Sequence, residues 1–318
     1  QSDRVDRVRG RLDSLSIAAR VAPVTRHIGL IPTITTTHTE PFHTAKNVAS
    51  LDWVSHGRAG WRVAVTETAA EAVLFGRKSA APLDELYAEA ADYVDVVRRL
   101  CDSWEDDAII RDQPTGRYID REKVHYIDYE GRFFSVRGPT ITPRSPQAQP
   151  LIAVDANSAP SITLAAAEAD LVFVAAPDVH AARRVYTEVL AGVAAAGRDE
   201  NDITVLAVVD VLLADSAAAA SNDKAHLDAQ AGETPITDAL EFVGTPSGLV
   251  EVLEEWSGAV DGFLVRPLVL PLGLTQLVDR VVPELRQRGL TRSDYAEPTL
   301  RGHFGLARPR NRYARSSP

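Results

Sequence analysis

The stretch Ile31–His43 reads IPTITTTHTEPFH. It opens with uncharged, β-branched residues of the kind that fill a buried strand. It then runs into three consecutive threonines, a histidine, a Glu-Pro turn and a second histidine. A buried strand that ends in hydroxyls and imidazoles points to a parallel sheet whose strand ends carry the chemistry.

Working outward, the same alternation repeats along the chain. Val5–Pro23 reads as a helix, Ile28–Thr36 as a buried strand, and the segment closed by Ser55–Gly60 (SHGRAG) as a helix ending on glycine. Trp61–Thr66 (WRVAVT) is the next strand. A long helix follows, with Leu83, Tyr87, Ala90, Ala91, Val94, Val97, Cys101 and Trp104 at steps of three and four. Asp106–Gln149 breaks the pattern and reads as short hairpin strands. Strands then recur at Leu151–Val154, Leu171–Ala176, Ile203–Leu213 and Asp261–Val265, with helices at Ser161–Ala169, Val179–Gly197 and Thr245–Trp256 and in a last segment stopped by Gly289. Asp215–Ala239, rich in Ala, Asp and Ser, reads as a mobile helical insertion.

Six short apolar strands separated by helices predict an α/β fold with a parallel sheet and helices outside it. No Gly-rich G-x-G-x-x-G turn follows any strand, so a (β/α)8 TIM barrel fits better than a doubly wound sheet. The barrel is two strands short, and the missing strands are expected upstream of Gln1. One domain over 1–318 is expected, with insertions at about 106–150 and 215–240 and a tail at 290–318.

Composition removes several function classes. A net charge of −10 gives no basic face for nucleic acid. One cysteine, Cys101, allows no intrachain disulfide and suits a reducing cytoplasm. No apolar run reaches bilayer length, and the charged opening Gln1–Arg11 is not a signal peptide. The chain has no Met. No metal motif and no G-x-S-x-G elbow appears, so the chemistry is expected from strand ends, from a cofactor, or from both.

Thr33 and Thr35 would share one face of their strand and present hydroxyls at its mouth; packing by their methyls is an equally good reading. His38 and His43 lie just beyond and are candidate proton donors, although a loop histidine is more often solvated. Arg62, a charge within a strand, either meets an anion or pairs with a carboxylate. Tyr87 is a site candidate or a core aromatic. Asp155–Ser161 (DANSAPS) joins a strand to a helix, where Asn157 and Ser158 either bind a phosphate or cap the helix.

These words together resemble a known family. IGLIPTITTTHTEPFHTAKNVASLDWVSHGRAGW, LCDSWEDDA (Leu100–Ala108), GRFFSVRGPTITPRSPQAQPLI (Gly131–Ile152), VVPELRQRGL (Val281–Leu290) and LARPRNRY resemble the bacterial-luciferase-like flavin monooxygenases. The branch they most resemble contains nitrilotriacetate and dibenzothiophene-sulfone monooxygenases. The resemblance implies a (β/α)8 barrel and FMN delivered reduced by a separate reductase. It implies O2 as co-substrate, a flavin hydroperoxide that oxygenates a small organic molecule, and assembly as a dimer or tetramer. It implies flavin contact at Thr33, and phosphate contacts at Tyr87 and Ser158. Departures from the family pattern fall at Arg62 (usually Asn), Val65 (usually Thr), Leu83 (usually His) and Ser161 (usually Gly). They keep two other readings open: a deazaflavin-dependent oxidoreductase on the same barrel, and a non-catalytic barrel that holds flavin or none.

Overall fold

The computed structural model describes residues 10–232 and 237–314, and these form two compact units. The first comprises residues 10–154, Glu168–Asp170 and 296–314; the second comprises Asp155–Ala167 and Leu171–Tyr295.

In the first unit, helix α1 (Ser14–Val21) is capped by Asp13, whose carboxylate accepts from the Ser16 N–H. The sequence predicts this helix from Val5; residues 5–9 lie outside the described residues, and 10–13 are not helical. Strand β1 spans only Thr33–Thr35, shorter than the predicted Ile28–Thr36. Pro32 is the reason. It has no N–H for the ladder, so pairing begins as an isolated Leu30–Ala59 bridge and resumes at Thr33. Helix α2 (Pro41–Val54) starts on Pro41, whose missing N–H costs nothing in a first turn. It stops where His56 and Gly57 turn to positive φ. Strand β2 (Gly60–Ala64) runs parallel to β1, with Thr33 opposite Arg62 and Thr35 opposite Ala64.

A seven-residue helix that sequence reading missed, α3 (Ala69–Phe75), follows; Thr68 caps it and Gly76, left-handed at φ 65°, ends it. Helix α4 (Leu83–Asp102) is as predicted, but its buried stripe runs Leu86, Ala90, Tyr93, Val97, Leu100. Val94, Val96 and Cys101 are buried beside it, so Ala90, Val94, Val97 and Cys101 of the expected stripe are buried and the buried face of α4, which packs against α2, is wider than expected.

The excursion forms two antiparallel hairpins: β3 (Ile109–Asp112) with β4 (Arg117–Ile119), and β5 (Tyr129–Glu130) with β6 (Ser135–Val136). Strand β7 (Leu151–Asp155) then pairs parallel with β2.

The excursion and the tail are tied to the end of α4 by a buried ion pair. Arg144 donates through Nε and Nη2 to one oxygen of Asp102 at 3.1 and 2.9 Å, and each side chain is 1% exposed. The other Asp102 oxygen accepts from Gln149 at 2.7 Å. Asn311 donates to the carbonyls of Asp102 and Trp104, and Arg308 pairs with Asp106. The aperiodic tail is therefore fixed by side-chain bonds. Arg308 at Asp106 holds that carboxyl below its usual pKa.

In the second unit, α5 (Ala159–Glu168) and β8 (Leu171–Ala175) lead to α6 (Val179–Ala195), capped by Asp178. The long strand β9 (Thr204–Leu213) pairs parallel with β8. Helix α7 (Ala217–Ala231) occupies much of the predicted insertion. Strand β10 (Leu240–Gly244) is absent from the sequence reading and makes seven parallel strands among the described residues where six were predicted. Its five residues, with Glu241 second and Gly244 last, give too short an apolar run to stand out. Helix α8 (Pro246–Glu255), with Thr245 as cap, precedes β11 (Gly262–Pro267). Both β10 and β11 pair with β9.

Val209, Val211 and Leu213 of β9 pack on Leu249, Val250 and Leu253 of α8, with Leu277 and Val281 of the closing helices. This is parallel sheet with helices on its outer face, the predicted α/β architecture. No helix among the described residues is long and apolar enough to cross a membrane.

Removing Arg144 leaves the buried Asp102 carboxylate with only Gln149 and the more distant Arg312 as side-chain partners, a costly loss for a buried ion. Arg144→Met is expected to lower the unfolding free energy by about 3–5 kcal/mol, read as a shifted urea midpoint. A loss below about 1 kcal/mol, typical of a surface pair, would show the pair to be dispensable.

Candidate active site

Residues opposite one another in a parallel pair point to the same side of the sheet. The register places Thr33, Thr35, Arg62 and Ala153 on one face of the first unit. Trp61 and Val63 are buried on the other. So the structure brings Thr33, Thr35 and Arg62 together on one face of neighbouring strands, with Thr35 at the carboxyl end of β1. Thr33 is exposed there and Thr35 and Arg62 are half-buried. A recess of about 670 Å³ runs along β1 and touches Thr33, Thr35, Thr39, Asn47 and Phe75.

The remaining threonines of the opening stretch shape the turn. Thr36 donates through its N–H and hydroxyl to the Ala64 carbonyl at 2.8 and 3.1 Å. Thr37 accepts from the Thr66 N–H at 3.0 Å. Thr39 gives its only hydroxyl proton to the Thr35 carbonyl at 2.6 Å, so it accepts from the Tyr93 hydroxyl at 2.8 Å. Thr44 completes the chain at 2.5 Å. Burial pushes the Tyr93 pKa up, so this phenol remains a neutral link. Tyr93 was not singled out in the sequence; its three-residue step from Ala90 was the available signal.

His38 is placed by this turn. It is 6% exposed, and its ring stacks on Phe75 with centroids 4.4 Å apart and planes at 11°. Both ring nitrogens are buried without a hydrogen-bond partner among the described residues. Burial lowers its pKa, and Lys78 nearby lowers it further. His38 lines a polar pocket of about 190 Å³ with Arg77, Lys78, Glu40, Glu89 and Phe134. The charges there are paired, Arg77 with Glu40 at 2.7 Å and Lys78 with Glu89. A neutral imidazole with unspent donor and acceptor capacity at a polar pocket can take up or release a proton on a bound molecule. His43 sits apart: it is exposed on the first turn of α2, edge-on to Phe42. Tyr87 is half-buried on α4.

Asn157 and Ser158 belong to the second unit, where they form the turn into α5. The buried Ser161 hydroxyl accepts from the N–H groups of Asn157 and Ser158 at 3.0 and 2.9 Å. It lies 3.0 Å from the Asn157 side-chain oxygen and 2.9 Å from the Ser158 carbonyl, either of which can take its proton. The two N–H groups best placed for an anion are thus held by a side chain of the same turn. Sequence showed that serine stands where the resembling family has glycine, but not that its hydroxyl would turn back onto this loop.

Comparison with known proteins supplies context. The luciferase-like monooxygenase family matches residues 3–258. N-acetyl-S-(2-succino)cysteine monooxygenase of Bacillus subtilis (strain 168) is 33% identical, over 96% of this chain and 83% of its own. Nitrilotriacetate monooxygenase component A of Aminobacter aminovorans is 33% identical, over 96% and 81%. Among solved structures, a riboflavin lyase with modified FMN and riboflavin superposes with TM-score 0.86 at 26% identity, over 96% of this chain and 80% of that one. A long-chain alkane monooxygenase gives TM-score 0.83 at 28% identity, over 92% and 77%.

A histidine whose folded pKa is lowered takes fewer protons folded than unfolded, so stability falls as pH drops below about 6.5. The His38→Leu variant is expected to lose part of this dependence, measured as urea midpoints between about pH 8 and pH 5. Identical pH profiles for both proteins would show His38 to be solvated.

Proposed function

The chain belongs to the luciferase-like monooxygenase family, and from that premise we propose that it uses reduced FMN, supplied by a separate reductase, and O2 to oxygenate a small organic molecule. The observation that carries this reading is the 33% identity extending over 96% of the chain. When bound, the flavin would supply the reaction with oxygen, which side chains alone lack.

The residues fit that group in part. Thr33, Thr35 and Arg62 offer hydroxyl and guanidinium donors on one face, suited to a polar heterocycle. Family resemblance assigns Tyr87 and Ser158 to the phosphate, and the turn into α5 adds Asn157. There the fit needs one change: the Ser161 hydroxyl must rotate to release the two N–H groups it now holds. His38, neutral near pH 7, holds or accepts a proton at Nδ1 or Nε2 of its ring. Phe75 stacks on one face of that ring. His43, exposed on α2, is the less suited of the two histidines for this role.

The names of relatives do not select a substrate. Nitrilotriacetate carries carboxylates, whereas dibenzothiophene sulfone and long-chain alkanes do not.

The test is turnover of candidate substrates with reduced FMN under isotopically labelled dioxygen. Label from O2 in the product is the expected result; oxygen uptake without labelled product from any candidate would contradict the reading. A second measurement addresses the phosphate. Ser161→Gly frees both N–H groups and is expected to tighten FMN binding by up to about tenfold, with riboflavin, which lacks the phosphate, unchanged. An equal change for both ligands would remove the phosphate from this loop.

A further inference from the structure

The second unit carries a charged pair that the account so far does not use. Asp210 lies on β9 opposite Arg266 of β11. Val209, Val211, Phe263 and Val265 face the helices. By strand alternation Asp210, Leu212 and Arg266 therefore face the other way. Arg266 is the penultimate residue of its strand. In parallel α/β sheets, this carboxyl end is where ligands are bound.

The geometry of the pair leaves part of the guanidinium unspent. Arg266 donates through Nε and Nη2 to the two oxygens of Asp210, each at 2.7 Å. Thr237 donates to the same carboxylate at 2.9 Å. Asp210 is 7% exposed, whereas Arg266 is 46% exposed. Nη1 makes no hydrogen bond among the described residues. A guanidinium is a planar fork. With its Nε side bound to Asp210, its end presents parallel N–H groups from Nη1 and Nη2. That edge matches a carboxylate, which takes two parallel bonds from it. Glu241, opposite Asp210 on β10, does not compete: it pairs with Lys224 at 3.2 Å.

An apolar space lies close by. Leu212, two residues beyond Asp210 on the same face and about 7 Å along the strand, lines a pocket of about 220 Å³ beneath α7. Leu227, Val269 and Leu272 form other walls, and Asp223 and His226 of α7 also line it. Cation and pocket together suit a molecule with an anionic head and a short apolar body.

The geometry points to a carboxylate-binding subsite: Arg266, positioned by Asp210, receives the carboxylate, and the pocket beneath α7 receives the apolar part. The ligand class it selects is a small carboxylic acid, and only the further step of calling that acid the substrate rests on the function proposed above. The subsite itself does not depend on flavin or oxygen, so it is tested without either.

The experiment is calorimetric titration of the intact protein with hexanoate and with hexanamide, its uncharged counterpart. Hexanoate is expected to bind at least about tenfold more tightly, the scale of charge-assisted hydrogen bonds. The Arg266→Gln/Asp210→Asn pair, which leaves no lone buried charge, is expected to bring the two affinities together. Leu227→Trp, which fills the pocket, is expected to weaken both. Equal affinities in the unaltered protein, absence of hexanoate binding, or a preference that survives the double substitution would each overturn the subsite. Turnover failure with hexanoate binding intact would count against the proposed function alone.

Discussion

The buried pair of Asp102 and Arg144 is the constraint on which the first unit depends. Two ions with almost no water contact survive only if their remaining hydrogen-bonding capacity is filled. Gln149 fills it from one side and Arg312 from the other, while Asn311 binds the neighbouring backbone. The end of α4, the return from the hairpins and the tail are thereby held at one point. The rest of α4 follows as a rigid rod. It carries Tyr93 to Thr39 and Thr44, and Glu89 to Lys78 beside His38. One helix thus carries the charge pair at its end and, from its middle, the side chains that hold the turn around His38.

That turn answers the question posed by three threonines in a row. Strand alternation turns Thr33 and Thr35 to the face shared with Arg62. Thr36 and Thr37 instead tie the turn to the end of β2, and Thr39 ties it to Tyr93. The same residue type does two jobs, set by strand parity and by where the strand ends. His38 is the product: an imidazole buried against Phe75 with both nitrogens unspent among the described residues. Burying a polar group without a partner is unfavourable, so the fold tolerates a cost there that a bound molecule can offset.

Much of this was legible from pattern. Short apolar runs separated by amphipathic stretches announced the parallel sheet, and α4 was plain from its spacing. What escaped depends on contacts between distant segments. The burial of His38 needs Phe75, on a helix of seven residues that periodicity does not flag. The Asp210–Arg266 pair joins residues 56 apart, one of them in a strand read only as an apolar run. Strand β10 was hidden by Glu241 and its own brevity. At Ser161 the departure from the family's glycine was visible, but its grip on two backbone N–H groups follows only from the shape of the loop.

The most direct test of the central claim is an anaerobic titration of the intact protein with reduced FMN, run in parallel with a reduced deazaflavin. The account predicts saturable binding of one reduced FMN per chain, with the deazaflavin weaker. Absence of reduced-FMN binding, or tighter binding of the deazaflavin, would contradict it.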